Sequence, residues 1–251
     1  ATPSVDACLV VTSDKCYENR EWVHGYRESD PMGGYDPYSA SKGCAELVAA
    51  SYRRSFFGPG APRPVAVATA RSGNVIGGGD WGADRILPDC VRALAKDEPI
   101  VLRRPQAVRP WQHVLEPLSG YLLLGALLLE HGEAFVAPWN FGPADASLFT
   151  VEEVVKMAID TWGGGAYRVD ASPQPHEAGL LKLDIAQAAY YLGWTPQLDP
   201  PRAVQRSIAW YKAFYDQAGS AAMLERTLAE IDAYTAGQRL AAARIPSAPR
   251  T

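Results

Sequence analysis

The sequence predicts an α/β protein built on a parallel sheet. Three observations carry that reading. The runs Ala7–Val11 and Val65–Arg71 are continuously apolar or small rather than alternating, as in strands covered on both faces. Segments with apolar residues at three- and four-residue spacing separate the strand-like runs, which is the helical period. Strand and helix patterns alternate along the chain, the order that gives parallel pairing.

The elements follow in order. Ala7–Val11 is the first strand and runs straight into Thr12-Ser13-Asp14-Lys15. Chemistry in open parallel sheets gathers at the carboxyl ends of the strands, so Ser13, Asp14 and Lys15 stand where an active site is expected. A polar loop, Asn19 to Asp36, follows, and loops of that length are uncommon in compact domains unless functional. A helix is expected from Tyr38 to Phe57, started by Asp36 or Pro37, with Ala40, Cys44, Leu47, Val48, Ser51 and Tyr52 as its packing face. Val65–Arg71 is the second buried strand, and the glycine-rich "SGNVIGGGDWG" ends it. Next come a helix from Arg85 to Lys96, a short strand Ile100–Leu102, the stretch "RRPQAVRPWQHV", an apolar helix Leu115–Leu129 and the strand-like "AFVAPWNFG". The remainder reads as helix Thr150–Trp162, a strand near Tyr167–Val169, the segment "LLKLD", a helix Pro200–Tyr215 and a last helix from about Ala221 to Ala242.

Composition removes several functional classes. Of 251 residues, 47% are hydrophobic and 21% charged, an ordinary globular balance. The net charge of −4 argues against a general nucleic-acid or anionic-membrane binder and leaves room for a local basic pocket. Cys8, Cys16, Cys44 and Cys90 form no CxxC and no paired spacing with histidine, so no metal centre is expected and reduced thiols of a cytoplasmic protein are the default. The longest apolar run, Tyr121 to Leu129, is too short to span a bilayer.

Tyr38 and Lys42 are four residues apart at a helix start, which puts them on one face. A free tyrosine, with a pKa of about 10, is a poor base at neutral pH. An ammonium group nearby favours the phenolate by about 1–3 pH units, so the pair can exchange a proton with a substrate hydroxyl. Read alone, the same spacing also describes an ordinary surface turn.

The surroundings of that pair decide between the two. A strand ending in a small hydroxyl residue, then "PYSASK" on a helix, then "VAVATARSGN" on a second strand, resembles the extended short-chain dehydrogenase/reductases and their nucleotide-sugar branch, from Cys8 to about Trp210. Within that family the longer stretches "VTSDKCYEN", "GYDPYSASKGCAEL", "ARSGNVIGGGDWGADRILPD", "RRPQAVRPWQHVLEPLSGYL" and "HEAGLLKLD" resemble the CDP-glucose 4,6-dehydratases.

The resemblance implies roles. Ser13 would hydrogen-bond the sugar, Tyr38 would accept the C4 hydroxyl proton, and Lys42 would hold the nicotinamide ribose of NAD and tune Tyr38. Asp14 would be the acid for the C6 hydroxyl. Lys15, at the family's Glu position, would act as a base on C5 or stabilise the enolate. Asn74 and Arg109 would contact the sugar diphosphate, Arg109 in a segment where Pro110 replaces the more common Asp. Arg85, Arg103 and Arg104 suit phosphate geometry and equally suit surface ion pairs. Asp80 and Trp81 would flank the sugar or base, or Trp81 is simply core. His113 and His176 read as structural.

The implied partners are a small-molecule nucleotide sugar and a second copy of the chain in a homodimer, with no nucleic acid and no membrane. The implied architecture is the C-terminal part of a Rossmann-type sheet domain (residues 1–73 and 111–142) and a smaller mixed α/β nucleotide-sugar domain (74–110 and 143–251). The family's glycine-rich turn after a first βαβ strand has no counterpart here, so the chain reads as beginning at the family's fifth strand. NAD binding by this chain alone is expected to be weak or absent. Two other functions remain open at this point: a 4-epimerase of the same fold, and a non-catalytic remnant that binds CDP-sugar or pairs with another subunit.

Overall fold

A computed structural model describes residues 4–58, 60–144, 149–170, 172, 179–216, 219–238 and 242–246. In chain order the elements are β1 (Ala7–Val11), α1 (Pro37–Phe56), β2 (Ala66–Arg71), β3 (Val75–Ile76), α2 (Ile86–Leu94), β4 (Ile100–Leu102), β5 (Val108–Arg109), β6 (Gln112–His113), α3 (Leu115–His131), β7 (Pro138–Asn140), β8 (Phe149–Thr150), α4 (Val151–Trp162), β9 (Tyr167–Val169), α5 (Pro200–Tyr215) and α6 (Ser220–Gly237).

β2 is the middle strand of a parallel sheet ordered β1-β2-β7, in register Leu9↔Ala68 and Ala70↔Trp139. Every residue of β2 is buried. Because successive side chains point to opposite faces, its sequence serves two different neighbours. Ala66, Ala68 and Ala70 face one side, where their small size admits Leu124, Leu127 and Leu128 of α3 together with Phe135, Trp139 and Phe141. Thr69 and Arg71 face the other side, toward α1.

This explains a difference from the sequence reading. The expected packing face of α1 is its solvent face: Ala40, Cys44, Leu47, Val48, Ser51 and Tyr52 are all exposed. The buried stripe is Ser39, Gly43, Glu46, Ala49 and Arg53. A helix lying over Thr69 and Arg71 needs a polar partner there, and Glu46 supplies it. Gly43 packs closely beneath the loop, with the carbonyl oxygens of Cys16 and Gly33 each 3.4 Å from where a Cβ would stand. β1 also differs from expectation. It pairs only with β2 among the described residues, and Val11 is 54% exposed, so it is an edge strand rather than one covered on both faces.

A second core gathers Ile76, Leu87, Val91, Trp111, Val154, Ala158, Ala203, Val204, Ile208 and Tyr211. Three small strand pairs frame it: β3 with β6 and β4 with β9, both parallel, and β5 with β8, antiparallel. Local sequence explains its helices. Thr150 and Glu153 form a reciprocal capping box at the start of α4, and Gly163 ends the helix at φ 101°, where only glycine is unstrained. Asp199 accepts from the Arg202 amide at 2.9 Å and prolines open α5. A π-helical turn, Ala188–Leu192, which the hydrophobic pattern did not announce, sends Ala188, Leu192 and Trp194 into the sheet core. The last helix ends at Gly237, short of the expected Ala242.

Candidate active site

Parallel pairing places the ends of β1, β2 and β7 along one edge of the sheet. The loops that leave β1 and β2 are joined there: Thr12 N–H donates to Ala70 O at 2.8 Å, and Asp14 N–H donates to Ser72 O at 3.1 Å. Ser13 caps the short 3-10 turn Asp14–Cys16 by accepting from the Lys15 amide at 3.2 Å, and its hydroxyl donates to Asp14 Oδ1 at 3.0 Å. Asp14 is 2% exposed, and its Oδ2 has no hydrogen-bond partner among the described residues. Burial pushes its carboxyl above the usual range, against the opposing pull of Lys15, Ser13 and Arg109. A raised pKa is what a carboxyl needs to serve as a proton donor.

Tyr38 and Lys42 sit in the first turns of α1, which Asp36 caps by accepting from the Ser39 amide at 3.0 Å. Tyr38 is 58% exposed, and Lys42 Nζ lies 5.4 Å from its ring centroid. The tyrosine and the ammonium group therefore share one face.

The four residues expected to hold a nucleotide sugar converge elsewhere on the same side. Asn74, Arg85, Arg103 and Arg109 all line a cleft of about 470 Å³, together with Arg104, Trp111 and Asp80. Asn74 follows β2 in the left-handed conformation, φ 49°, which asparagine tolerates better than most residues. Arg109 is buried and donates to the Val108 and Gly179 carbonyls at 2.9 and 3.2 Å. Arg85 pairs with Asp80 at 2.8 Å, and Arg103 pairs with Asp84. Both of these arginines are exposed and so free to exchange a surface carboxylate for a phosphate.

Ser13, Asp14, Lys15, Tyr38 and Lys42 do not line the cleft. One electrostatic link joins the two groups: the Arg109 charge opposes the rise in the Asp14 pKa. Trp81 is outside the cleft and packs on Phe214 and Tyr211 at 4.9 and 5.3 Å. His113 is 2% exposed and accepts from the Leu115 amide at 3.3 Å. His176 lies outside the described residues.

Sequence reasoning missed the network that holds these residues. Glu46 of α1 receives two hydrogen bonds from Arg71, both at 2.9 Å, one from Thr69 at 2.7 Å and one from Thr12. Arg71 also donates to Tyr17 OH at 2.7 Å, and Tyr17 donates in turn to Asn140 at 2.7 Å. The network ties α1, and with it Tyr38, to all three strands. The stripe of small and polar residues at helical spacing, Ser39, Gly43, Glu46 and Ala49, was its trace in the sequence.

Glu28 adjoins this network. Its carboxylate accepts from the Asn140 amide at 2.9 Å, while burial raises its pKa from 4.5 to about 7. Between those two values the native chain holds a proton that the unfolded chain has released, so stability falls as pH rises from about 4.5 to about 7. Glu28→Gln is expected to flatten that slope and to stabilise the protein by ~1–2 kcal/mol at pH 8, less than the full linkage value because Glu28 keeps some water contact. Urea unfolding of both proteins at pH 5 and pH 8 checks it. An unchanged slope in the variant would show that Glu28 does not titrate in this range.

The sheet order and helical crossovers define a Rossmann-type α/β fold. Known proteins narrow that class. The chain is 49% identical over 214 residues to the CDP-glucose 4,6-dehydratase of Salmonella typhimurium, covering 84% of this chain and 60% of the relative. Among solved structures it superposes on a dTDP-glucose 4,6-dehydratase from Streptomyces venezuelae with NAD and TYD bound, at a TM-score of 0.68 and 23% identity, covering 84% of this chain and 61% of that one. It also superposes on a UDP-glucose-4-epimerase from Stenotrophomonas maltophila with bound NAD, at a TM-score of 0.71 and 17% identity, covering 85% and 66%. No protein-family model matches the chain. The chain spans 60% of the length of the first two curated relatives it matches. No described helix is long and apolar enough to cross a membrane.

Proposed function

We propose that this chain carries the catalytic and nucleotide-sugar-binding parts of a cytoplasmic CDP-glucose 4,6-dehydratase of the extended short-chain dehydrogenase/reductase family. The observation that carries this reading is the buried Asp14 carboxyl, beside Lys15 at the carboxyl edge of the sheet. Loss of water from C5–C6 needs an acid for the departing hydroxyl, and inversion at C4 does not. The 49% identity to the Salmonella enzyme supports the same reading.

NAD, when bound, supplies the acceptor for the C4 hydride and its return to C6. Tyr38 and Lys42 fit the ribose end of that group, since a phenol and an ammonium stand on one face of α1. In this scheme Tyr38 takes the proton of the C4 hydroxyl, with Lys42 beside it on the same face of α1. The ketone at C4 acidifies the C5 proton. Lys15 stabilises the negative charge that develops as that proton leaves, or removes the proton itself. Asp14 protonates the C6 hydroxyl as it departs. Ser13 orients Asp14 and hydrogen-bonds the sugar. Asn74, Arg85, Arg103 and Arg109 hold the diphosphate in the cleft. Residues 1–73 and 111–142 form the cofactor side, and 74–110 and 143–251 the sugar side. The uncovered apolar face of α1 (Leu47, Val48, Tyr52 and Phe56) suits a second copy of the chain.

The test is a chimaera in which the part of the Salmonella relative that this chain does not match is joined to this chain. Incubation with NAD and CDP-glucose is expected to yield a nucleotide sugar one water lighter by mass spectrometry, from a protein that sediments as a dimer. An isomer of unchanged mass, inverted at C4, would replace the dehydratase reading with the epimerase one.

A further inference from the structure

We propose that Gly73 is a positioning residue for Asp14: the side chain it lacks leaves the recess in which the carboxyl sits, and any side chain there would expel it. The inference rests on the reading of Asp14 as the acid. A Cβ built at Gly73 would lie 1.9 Å from Asp14 Oδ2, 2.2 Å from Cγ and 2.6 Å from Oδ1, all far inside van der Waals contact.

Conformation is not the reason for glycine at this position. Gly73 is not among the glycines with positive φ, so an alanine could adopt its backbone. Space is the remaining reason. The backbone around it is also fixed. Gly73 O accepts from Gln112 Nε2 at 3.1 Å, and Gln112, 1% exposed, donates through the same nitrogen to Phe141 O at 3.1 Å. Ser72, one residue earlier, accepts from the Asp14 amide at 3.1 Å and shares a 2.6 Å hydrogen bond with Tyr121 OH. With both main chains held, the flexible carboxyl is the group that must leave.

Displacement has a chemical consequence. The groups acting on Asp14 in its seat are Lys15, Arg109 and the Ser13 hydroxyl, and Asp14 in turn acts on Cys16 and Tyr121. Of all the influences on its carboxyl, burial is the largest and the one that favours the protonated form. A carboxyl turned out to water loses that influence and becomes an ordinary aspartate, ionised at neutral pH and unable to donate a proton.

The experiment compares the wild-type chain with Gly73→Ala by following the Asp14 carboxyl carbon by NMR across pH, with Asp14→Asn to assign the resonance. The titration midpoint is expected to fall in the variant, toward the free aspartate value of about 3.9. An unchanged midpoint would overturn the proposal. If Gly73→Ala does not fold, the double variant Gly73→Ala/Asp14→Ala is expected to fold as well as Asp14→Ala alone, since the colliding carboxyl is gone. A double variant that stays unfolded would show that the recess does not exist for Asp14. In the chimaera, Gly73→Ala is expected to lower kcat at least tenfold with KM unchanged, and to shift the acidic group of the kcat–pH profile with the NMR midpoint. The carboxyl titration is read without substrate, so it stands or falls separately from the dehydratase reading.

Discussion

Tyr38→Phe, made in the chimaera with NAD and CDP-glucose, is expected to lower kcat by ~10²–10⁴-fold, the range supplied by one positioned proton-transfer group. The substitution removes a single hydroxyl from a side chain that is 58% exposed. It leaves the Asp36 cap and the buried stripe of α1 untouched. Folding should therefore be unaffected, with the melting temperature and the affinity for CDP-glucose close to wild type. Lys42 keeps an aromatic ring beneath its ammonium group, so the local electrostatics change little. A large fall in kcat with KM preserved is the mark of an interaction made only in the transition state. Turnover within tenfold of wild type would remove Tyr38 from the chemistry.

The second large effect concerns stability. Glu46→Ala is expected to cost ~3–5 kcal/mol, because it leaves the Arg71 guanidinium buried without its counter-charge. Arg71 is wholly buried, Glu46 is 2% exposed, and their two parallel hydrogen bonds are both 2.9 Å long. Burial by itself raises the Glu46 pKa, but Arg71, Thr12 and Thr69 outweigh it and hold the carboxylate below its usual range. The pair's contribution is thus fully present above the unfolded value of about 4.3 and is lost as pH falls through the lower folded value. The double variant Glu46→Leu/Arg71→Met, which removes both charges, should recover much of the loss. Urea unfolding of the three proteins at pH 7 measures this directly. A cost below about 1 kcal/mol for Glu46→Ala would show that water or another group satisfies Arg71.

These two residues also show what could and could not be read in advance. The pairing of Tyr38 with Lys42 was legible because it depends on local geometry: four residues along a helix bring a phenol and an ammonium together whatever the rest of the chain does. Glu46 was not, although it lies only eight residues further along the same helix. Its partner Arg71 is distant in sequence, on a strand that looks merely apolar. A buried carboxylate at a helical position reads as solvent-facing until the strand beneath it is known to carry an arginine. The same gap reversed the two faces of α1. The stripe Ala40, Cys44, Leu47, Val48, Ser51 and Tyr52 was read as the packing face by the usual hydrophobic rule, whereas the sheet below required polar groups.

The cleft residues fall between these cases. Asn74 and Arg109 were chosen from the resemblance, and Arg85 and Arg103 from their suitability for phosphate, with a surface ion pair as the alternative for those two arginines. The cleft collects all four, while Asp80 and Asp84 occupy two of the guanidiniums. Gly73 was invisible for a different reason. It stands in a glycine-rich stretch where any glycine can be explained by a turn, and its purpose appears only when the Asp14 carboxyl is found in the space it leaves.

By itself, the sequence determined the parallel α/β class, the strand ends that carry Ser13, Asp14 and Lys15, and the Tyr38–Lys42 pair. Each of these depends on periodicity or on spacing within a single element, and such local geometry survives any packing. The tertiary structure alone decided which face of α1 is buried, that Arg71 and Glu46 join the helix to the sheet, and that Asp14 sits in a recess floored by Gly73. Those features depend on contacts between residues far apart in the chain, where one buried charge or one missing methyl sets the free energy and no local pattern records it.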